Sequence, residues 1–317
     1  MRLLILHDAL SKNPTQDELD TLIQVKHIKK ALKALGHEVL ITKFSLNLIA
    51  MKKKILSLSV DIIFNLVETL EGSQLLHFSP ALIESLNIPF TGGGSAGMML
   101  SSHKVIAKEL MTGVNLPTPR WIENTEEDYV SEFIGIPLII KPISQEASVG
   151  INDDSLRVLL SVESLKEALS SKELFGEEFI NGREFNVSVL SIKGKPVVLP
   201  PAEMLFIDYP KDKPTIVGYE AKWEESSFAY THTKRSFPHT QQDLPLLEEI
   251  KTLTLKAFKL FGNKGYARVD FRVDTLGKPY ILEVNLNPCL APDSGFVAAI
   301  FEAGYSYNEM IDLIISG

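Results

Sequence analysis

ARVDFRVDTLGKPYILEVNLNP, residues 267–288, reads as two strands joined by the loop DTLGKP. Alternate residues of a strand share a face, so Arg268, Asp270 and Arg272 point one way and Val269, Phe271 and Val273 the other. The second strand repeats the pattern, with Ile281, Glu283, Asn285 and Asn287 on one face. A loop that leaves Val273 opposite Tyr280 sets Asp270 opposite Glu283 and Arg268 opposite Asn285. Two facing carboxylates repel, and a divalent cation between them turns that repulsion into attraction. Asp270, Glu283 and the amide oxygen of Asn285 therefore make an oxygen-rich half-site suited to Mg2+, which takes one or two carboxylates plus substrate phosphates. The competing reading is a solvated face on which Arg268 and Arg272 pair with the acids. The apolar opposite face and the Asn-x-Asn-Pro end tell against it.

The rest of the chain sets this hairpin in a larger protein. At 317 residues, and with roughly 100 to 200 residues per domain, two or three packed units are expected. Hydrophobic residues make up 45% and charged residues 23%, a globular composition. The net charge of −8 disfavours nucleic acid as a partner, because its phosphate backbone calls for a basic surface. Cys289 is the only cysteine, so neither an intramolecular disulfide nor a Cys-based metal cluster can form. The opening MRLLILHDAL is too short for a signal-peptide core, and no later apolar run reaches membrane-spanning length. A cytoplasmic protein with no membrane partner is expected.

Along the chain, LLIL at 3–6, EVLITKF and DIIFNL at 61–66 read as buried strands. The intervening segment from Thr21 to Leu35 places Leu22, Val25, Ile28, Leu32 and Leu35 on one helical stripe. This is an open parallel β/α unit over residues 1–92. TGGGSAG at 91–97 reads as a flexible turn between domains, with a backbone phosphate nest as the other reading. SSHKVIAKELMTGV reads as one helix ended by Gly113. Residues 93–182 form a linker helix and a central lid containing the strand IPLIIKP, the loop ISQEASVG and a strand containing EEFING. Residues 183–317 alternate strands at hairpin spacing, which indicates an antiparallel sheet, with helices near 243–261 and from Tyr307. The fold class is α/β and α+β. HDALS after the first strand, in place of a glycine fingerprint, argues against a nicotinamide dehydrogenase.

IPFTG, the HK of SSHK, LPTPR, IIKP followed by SVG, EEFINGREF, YEAKW, GYARVDF and LEVNLNP together resemble the ATP-grasp superfamily. Within it they are most similar to the D-alanine:D-alanine ligase branch, over roughly residues 88–315. The resemblance implies an ATP-grasp fold with ATP between the central lid and the C-terminal sheet. It implies that Lys104 and Lys141 contact nucleotide phosphates and that Lys222 is another active-site lysine. It assigns Glu177 and the backbone of Phe179 and Ile180 to the adenine edge, and Glu184 to the ribose hydroxyls, where a carboxylate accepts two hydrogen bonds well. Ser148, with Val149 and Gly150, belongs to a flap over the phosphates, and Arg268 steadies a tetrahedral intermediate. Asp270, Glu283 and Asn285 hold Mg2+, with Mn2+ as a substitute. The implied reaction joins a carboxylate to an amine through an acylphosphate, releasing ADP and phosphate, with amino acids or small peptides as substrates. A homodimer is compatible with the resemblance.

The substrate end departs from the family's pattern. No clear match to its ammonium-binding glutamate stands in LHDALSKNPTQDE, and VETLEGSQ replaces HGxxGEDG, leaving Glu68 and Glu71 either as ammonium ligands or as exposed loop acids. Ala147, Trp223, Cys289 and Asp293 replace the expected serine, tyrosine, glycine and histidine. Asp293 is expected to repel a second D-alanine or attract a cationic acceptor. Ser294 either orients an acceptor carboxylate or serves as a loop cap. Cys289 reads as a small buried thiol rather than a nucleophile. None of the seven histidines has metal-ligand spacing. Three functions remain: a ligase with altered substrates, a genuine D-alanine:D-alanine ligase, and a noncatalytic ATP-binding protein.

Overall fold

The computed structural model describes residues 1–123, 128–237 and 240–317. The chain begins with β1 (Arg2–His7), α1 (Gln16–Ala34), β2 (Glu38–Lys43), α2 (Leu48–Leu58), β3 (Ile62–Leu66) and α3 (Phe78–Glu84). Its three strands form a parallel sheet in the order β2-β1-β3. Two linker helices follow, α4 (Ser95–Ser102) and α5 (Lys104–Gly113). The central unit contains β4 (Trp121–Ile122), β5 (Pro137–Pro142), β6 (Leu156–Val158), α6 (Val162–Ala168) and β7 (Leu174–Glu178), with sheet order β4-β7-β5-β6.

The last unit runs through β8 (Gly182–Ile192), β9 (Lys195–Val198), β10 (Ala202–Phe206), α7 (Tyr219–Trp223), α8 (Phe228–His232), β11 (Thr233–Ser236) and α9 (Leu244–Leu260). It ends with β12 (Tyr266–Asp274), β13 (Pro279–Asn285), α10 (Gly295–Glu302) and α11 (Tyr307–Ser316). Its antiparallel sheet has the order β11-β10-β8-β12-β13, with β9 also paired to β8. Among the described residues no helix is long and apolar enough to cross a membrane.

β1 is buried on both faces, as a central parallel strand must be. Leu4 and Leu6 join a core that continues through Met98 and Met111 to Phe185, Val269 and Phe271 of the large sheet. Leu3 and Ile5 face α1, α10 and α11 through Ile28, Leu32, Phe296, Ile300 and Ile311. The first and last units therefore share their cores. The central sheet closes over its own, made of Ile122, Leu138, Ile140 and Leu165. A cleft between that sheet and the large one follows from this separation.

Three local expectations are corrected. The stripe of α1 is rotated: Leu22 is 43% exposed, while Asp20, Thr21 and Gln24 are buried, because the first turns of the helix border the cleft. The helix read across SSHK breaks at His103, which ends α4 in an extended conformation and caps α5 by accepting from the Ile106 N–H. TGGGSAG is a packed turn rather than a flexible one. A Cβ on Gly93 would lie 2.7 Å from the Leu286 side chain, and one on Gly97 would lie 2.4 Å from the Phe261 carbonyl oxygen. Glycine is required there by close backbone approach.

Candidate active site

The cleft is a cavity of about 480 Å3 floored by the β12–β13 hairpin. Near the loop, Val273 pairs with Pro279 and Phe271 with Ile281, one residue off the expected register. A bulge at Leu282 restores it, so that Asp270 faces Glu283 and Arg268 faces Asn285. The bulge also reverses the side-chain alternation. Ile281 packs with Phe271 in the core instead of joining the polar face, whereas Glu283 and Asn285 line the cavity. Hydrogen bonds from Arg268 Nε and Nη2 to the two oxygens of Asp270, both 2.8 Å, hold that carboxylate in place, and Glu283 is 3.9 Å from the same guanidinium. Asn285 Oδ1 accepts from the Asn287 N–H at 2.9 Å.

Basic groups converge on this floor. Lys104, the first residue of α5, donates to the Gln145 carbonyl and lies 3.8 Å from Glu283. Lys141 at the end of β5 donates to Glu177 at 2.6 Å. Lys222 on α7 lines the same cavity, and burial together with Arg268 pulls its ammonium below the usual lysine range. Burial works against ionisation of Glu283, yet Lys104 and Lys222 overcome it and hold its carboxyl at about 2. The carboxylate is thus charged at neutral pH, as a cation ligand must be.

At one end of the cavity the Glu177 carboxylate lies between Lys141 and Lys108, neither of which is exposed. The Phe179 N–H donates to the Pro137 carbonyl at 2.9 Å, and the Ile180 carbonyl accepts from Arg272 Nε at 2.9 Å. Those two groups are therefore engaged within the protein, which leaves the Phe179 carbonyl and the Ile180 N–H as the backbone pair suited to a base edge. Glu184 accepts from Arg272 Nη1 at 3.0 Å through one oxygen, and burial raises its carboxyl above the ordinary range against the pull of that arginine.

The roof consists of two loops clasped together. Ala147 and Ser148 both adopt left-handed backbone conformations, at φ 56° and 62°. Ser148 Oγ donates to the Val217 carbonyl at 2.8 Å, and Trp223 Nε1 donates to the Ala147 carbonyl at 2.9 Å. Tyr219 OH donates to Asp17 on α1 at 3.0 Å, which ties the roof to the first unit. Glu146 lines the cavity beneath; burial, opposed by Lys104, lifts its carboxyl to about 7.

At the opposite end, Ser294 caps α10 by accepting from the Val297 N–H at 3.3 Å, and it also borders the cavity beside Asp293. Cys289 is half-buried rather than enclosed. It lines the cavity and donates its S–H to Asp20 at 2.9 Å, and burial pushes its thiol well up, away from thiolate chemistry. Gln24 donates to both Asp20 (3.3 Å) and Glu68 (3.1 Å) and accepts from the Leu290 N–H at 2.8 Å. Glu68 lines the cavity; Glu71 is exposed in a left-handed turn outside it.

The fold thus brings Lys104, Lys141, Glu177, Phe179, Ile180, Glu184, Lys222, Ser148, Arg268, Asp270, Glu283, Asn285 and Ser294 around one cavity. Sequence reasoning missed Lys108, Glu146, Asp20, Gln24 and the pairing of Arg272 with Glu184. Only Lys108 left a signal: a lysine four residues after Lys104 shares its helix face.

The hairpin atoms able to ligate a metal are oxygens, of Asp270, Glu283 and Asn285, which suits a hard cation such as Mg2+. Among the described residues no group of three His, Cys, Asp or Glu could hold a metal by itself. Asp270, Glu283 and Asn285 are the residues that could hold such an ion, with the rest of its shell supplied by a ligand.

A family model described as D-ala D-ala ligase C-terminus matches residues 110–316. A D-alanine–D-alanine ligase of Aquifex aeolicus is 30% identical over 92% of this chain and 93% of its own length. A protein of Sinorhizobium fredii described as uncharacterized is 27% identical over 90% of this chain and 84% of its own. The crystal structure of D-alanine–D-alanine ligase from Bacillus anthracis complexed with ATP superposes with a TM-score of 0.75 at 21% identity, over 100% of this chain and 96% of that one. At that identity the likeness is one of fold.

Proposed function

The chain belongs to the D-alanine–D-alanine ligase family, and on that premise we propose that it is an ATP-dependent carboxylate–amine ligase in which this cavity is the active site. The observation that carries the reading is the facing pair Asp270 and Glu283, opposed by Lys104, Lys222 and Arg268 in one cavity between two sheets. The ligase forms a peptide or amide bond between an amino acid or small peptide and an amine, in the cytoplasm.

In the first step a substrate carboxylate oxygen forms a bond to the γ-phosphorus of ATP as the bond to the β-γ bridging oxygen breaks, leaving an acylphosphate and ADP. In the second, the amine nitrogen bonds to the acyl carbon, phosphate departs and the nitrogen loses a proton. Phosphoryl transfer depends on positioning and charge neutralisation more than on a protein nucleophile. Lys104 and Lys141 attract and orient the triphosphate, with the adenine edge at the Phe179 carbonyl and the Ile180 N–H. The second oxygen of Glu184 accepts from ribose. Asp270, Glu283 and Asn285 would hold Mg2+, or Mn2+ in its place, which would supply charge neutralisation for the triphosphate. Arg268 and Lys222 stabilise the oxyanion that develops when the amine adds. The clasped loops, with Ser148 on Val217, exclude water from the acylphosphate.

Ser294 and Asp293 border the acceptor. An aspartate there disfavours an acceptor carboxylate, so the preferred acceptor is expected to differ from D-alanine. ADP release from Mg-ATP should be measured against D- and L-amino acids, dipeptides and amines, with products identified by mass. Substrate-dependent release with a new amide product is the expected result. Binding of ATP with no stimulated release across the panel would favour a noncatalytic protein instead.

A further inference from the structure

Lys108 is wholly buried and does not line the cavity. Its ammonium pairs with one oxygen of Glu177, whose other oxygen lies 2.6 Å from Lys141. The ammonium also donates to Thr118 Oγ1 at 2.7 Å and to the Pro119 carbonyl at 3.3 Å. Thr118 Oγ1 passes a hydrogen bond to the Ile281 carbonyl at 2.8 Å, and the Ile281 N–H returns one to Pro117, also at 2.8 Å. Ile281 immediately precedes the bulge that turns Glu283 into the cavity. One buried cation thus touches both the carboxylate beneath Lys141 and the segment that braces the hairpin.

We infer that Lys108 is a positioning residue for the nucleotide: it balances Glu177, so that Lys141 keeps its charge for a phosphate, and through Thr118 it braces the bulge behind Glu283. The inference rests on the nucleotide reading of the cavity. At hydrogen-bond distance and out of water, Glu177 alone would neutralise Lys141. With Lys108 added, the group of three carries one net positive charge, and of its two lysines it is Lys141 that lines the cavity. Burial pulls the Lys108 ammonium down to about 8 against the attraction of Glu177, which leaves it mostly protonated at pH 7. Burial works against the charge on Glu177, yet Lys108 and Lys141 together hold its carboxyl below the usual range.

The test is calorimetric binding of Mg-ATP and of adenosine, without amine, to the wild-type protein, Lys108→Met and Lys108→Arg. Lys108→Met is expected to weaken Mg-ATP binding roughly tenfold or more, the scale of one charge-assisted contact. Lys108→Arg should retain most of the affinity. Adenosine, which carries no phosphate, should bind Lys108→Met to within about threefold of wild type, because the charge that was lost acts on a phosphate. If Lys108→Met fails to fold, Lys108→Gln, which keeps a donor to Thr118, is measured in its place with the same expectations. Two results would overturn the inference: the Lys108 variant binding Mg-ATP as wild type does, or losing adenosine affinity as much as Mg-ATP affinity. Absence of Mg-ATP binding by the wild-type protein would instead remove the nucleotide reading on which it rests.

Discussion

Asp270 and Glu283 face each other across β12 and β13 only because Leu282 is bulged out of the ladder between Ile281 and Glu283. Strand alternation flips at that residue, so a core-facing Ile281 is followed two positions later by a cavity-facing Glu283. The charged face of the hairpin is a local construction set on an apolar sheet.

Glu283→Gln keeps the shape of this pair and removes one charge. On the proposed cation role of Glu283, turnover should fall by about a hundredfold or more, with a higher Mg2+ requirement, because a charged oxygen donor has become a neutral amide. ADP release across a Mg2+ titration reads both effects. Near-normal activity would remove Glu283 from the cation site.

Ser294 has two roles that can be separated. Ser294→Ala removes the cap of α10 and should lower stability by about 1 kcal/mol, whereas Ser294→Asn keeps a capping oxygen and should not. If Ser294 also orients the acceptor, both variants should raise the acceptor KM several-fold. Thermal melts alongside steady-state kinetics distinguish capping from substrate contact.

Asp8 makes stability depend on pH. It is 6% exposed, and burial raises its carboxyl to about 7 even though it accepts from the Glu68 and Thr69 N–H groups. Between its ordinary value of 3.8 and about 7 the folded protein holds a proton that the unfolded chain has released. Stability from this group is therefore full below that window and falls as pH rises through it. Asp8→Asn should flatten the dependence and exceed wild type by about 1–3 kcal/mol at pH 8, as read by urea melts at pH 5 and pH 8. Parallel curves for the two proteins would contradict the assignment.

Gly97→Ala tests the packed turn. Its Cβ would meet the Phe261 carbonyl oxygen at 2.4 Å and Leu286 at 2.9 Å, so α4 must shift away from α9 and β13. A loss of about 2 kcal/mol or more is expected in a thermal melt. An unchanged midpoint would mean that this turn yields freely.

Much of the site was legible because its motifs are local. The identity of the strands and the acids of the hairpin can be read from short stretches with period-2 spacing, whereas Lys104, Lys141 and Lys222 stood out only through the family resemblance of the motifs that contain them. The rotation of α1 was not legible. Leu22 looks like a core residue until the fold shows that Asp20 and Thr21 border the cavity and Leu22 faces solvent. Ser294 likewise read equally well as a cap and as a substrate contact, and the structure shows the cap while leaving the side chain at the cavity wall.

By itself the sequence determined the kinds of element and the antiparallel hairpin carrying Asp270 and Glu283, since each depends on neighbours within a few positions; the residues proposed to meet a phosphate were indicated by family resemblance. The tertiary structure alone decided the bulge at Leu282, the shared carboxylate of Glu177 between Lys108 and Lys141, the clasp of Ser148 on Val217 and the tie of Tyr219 to Asp17. Those contacts join residues as many as 202 positions apart. They exist because packing closes chain segments whose separation leaves no periodic trace, and burial then forces every charge among them to find a partner.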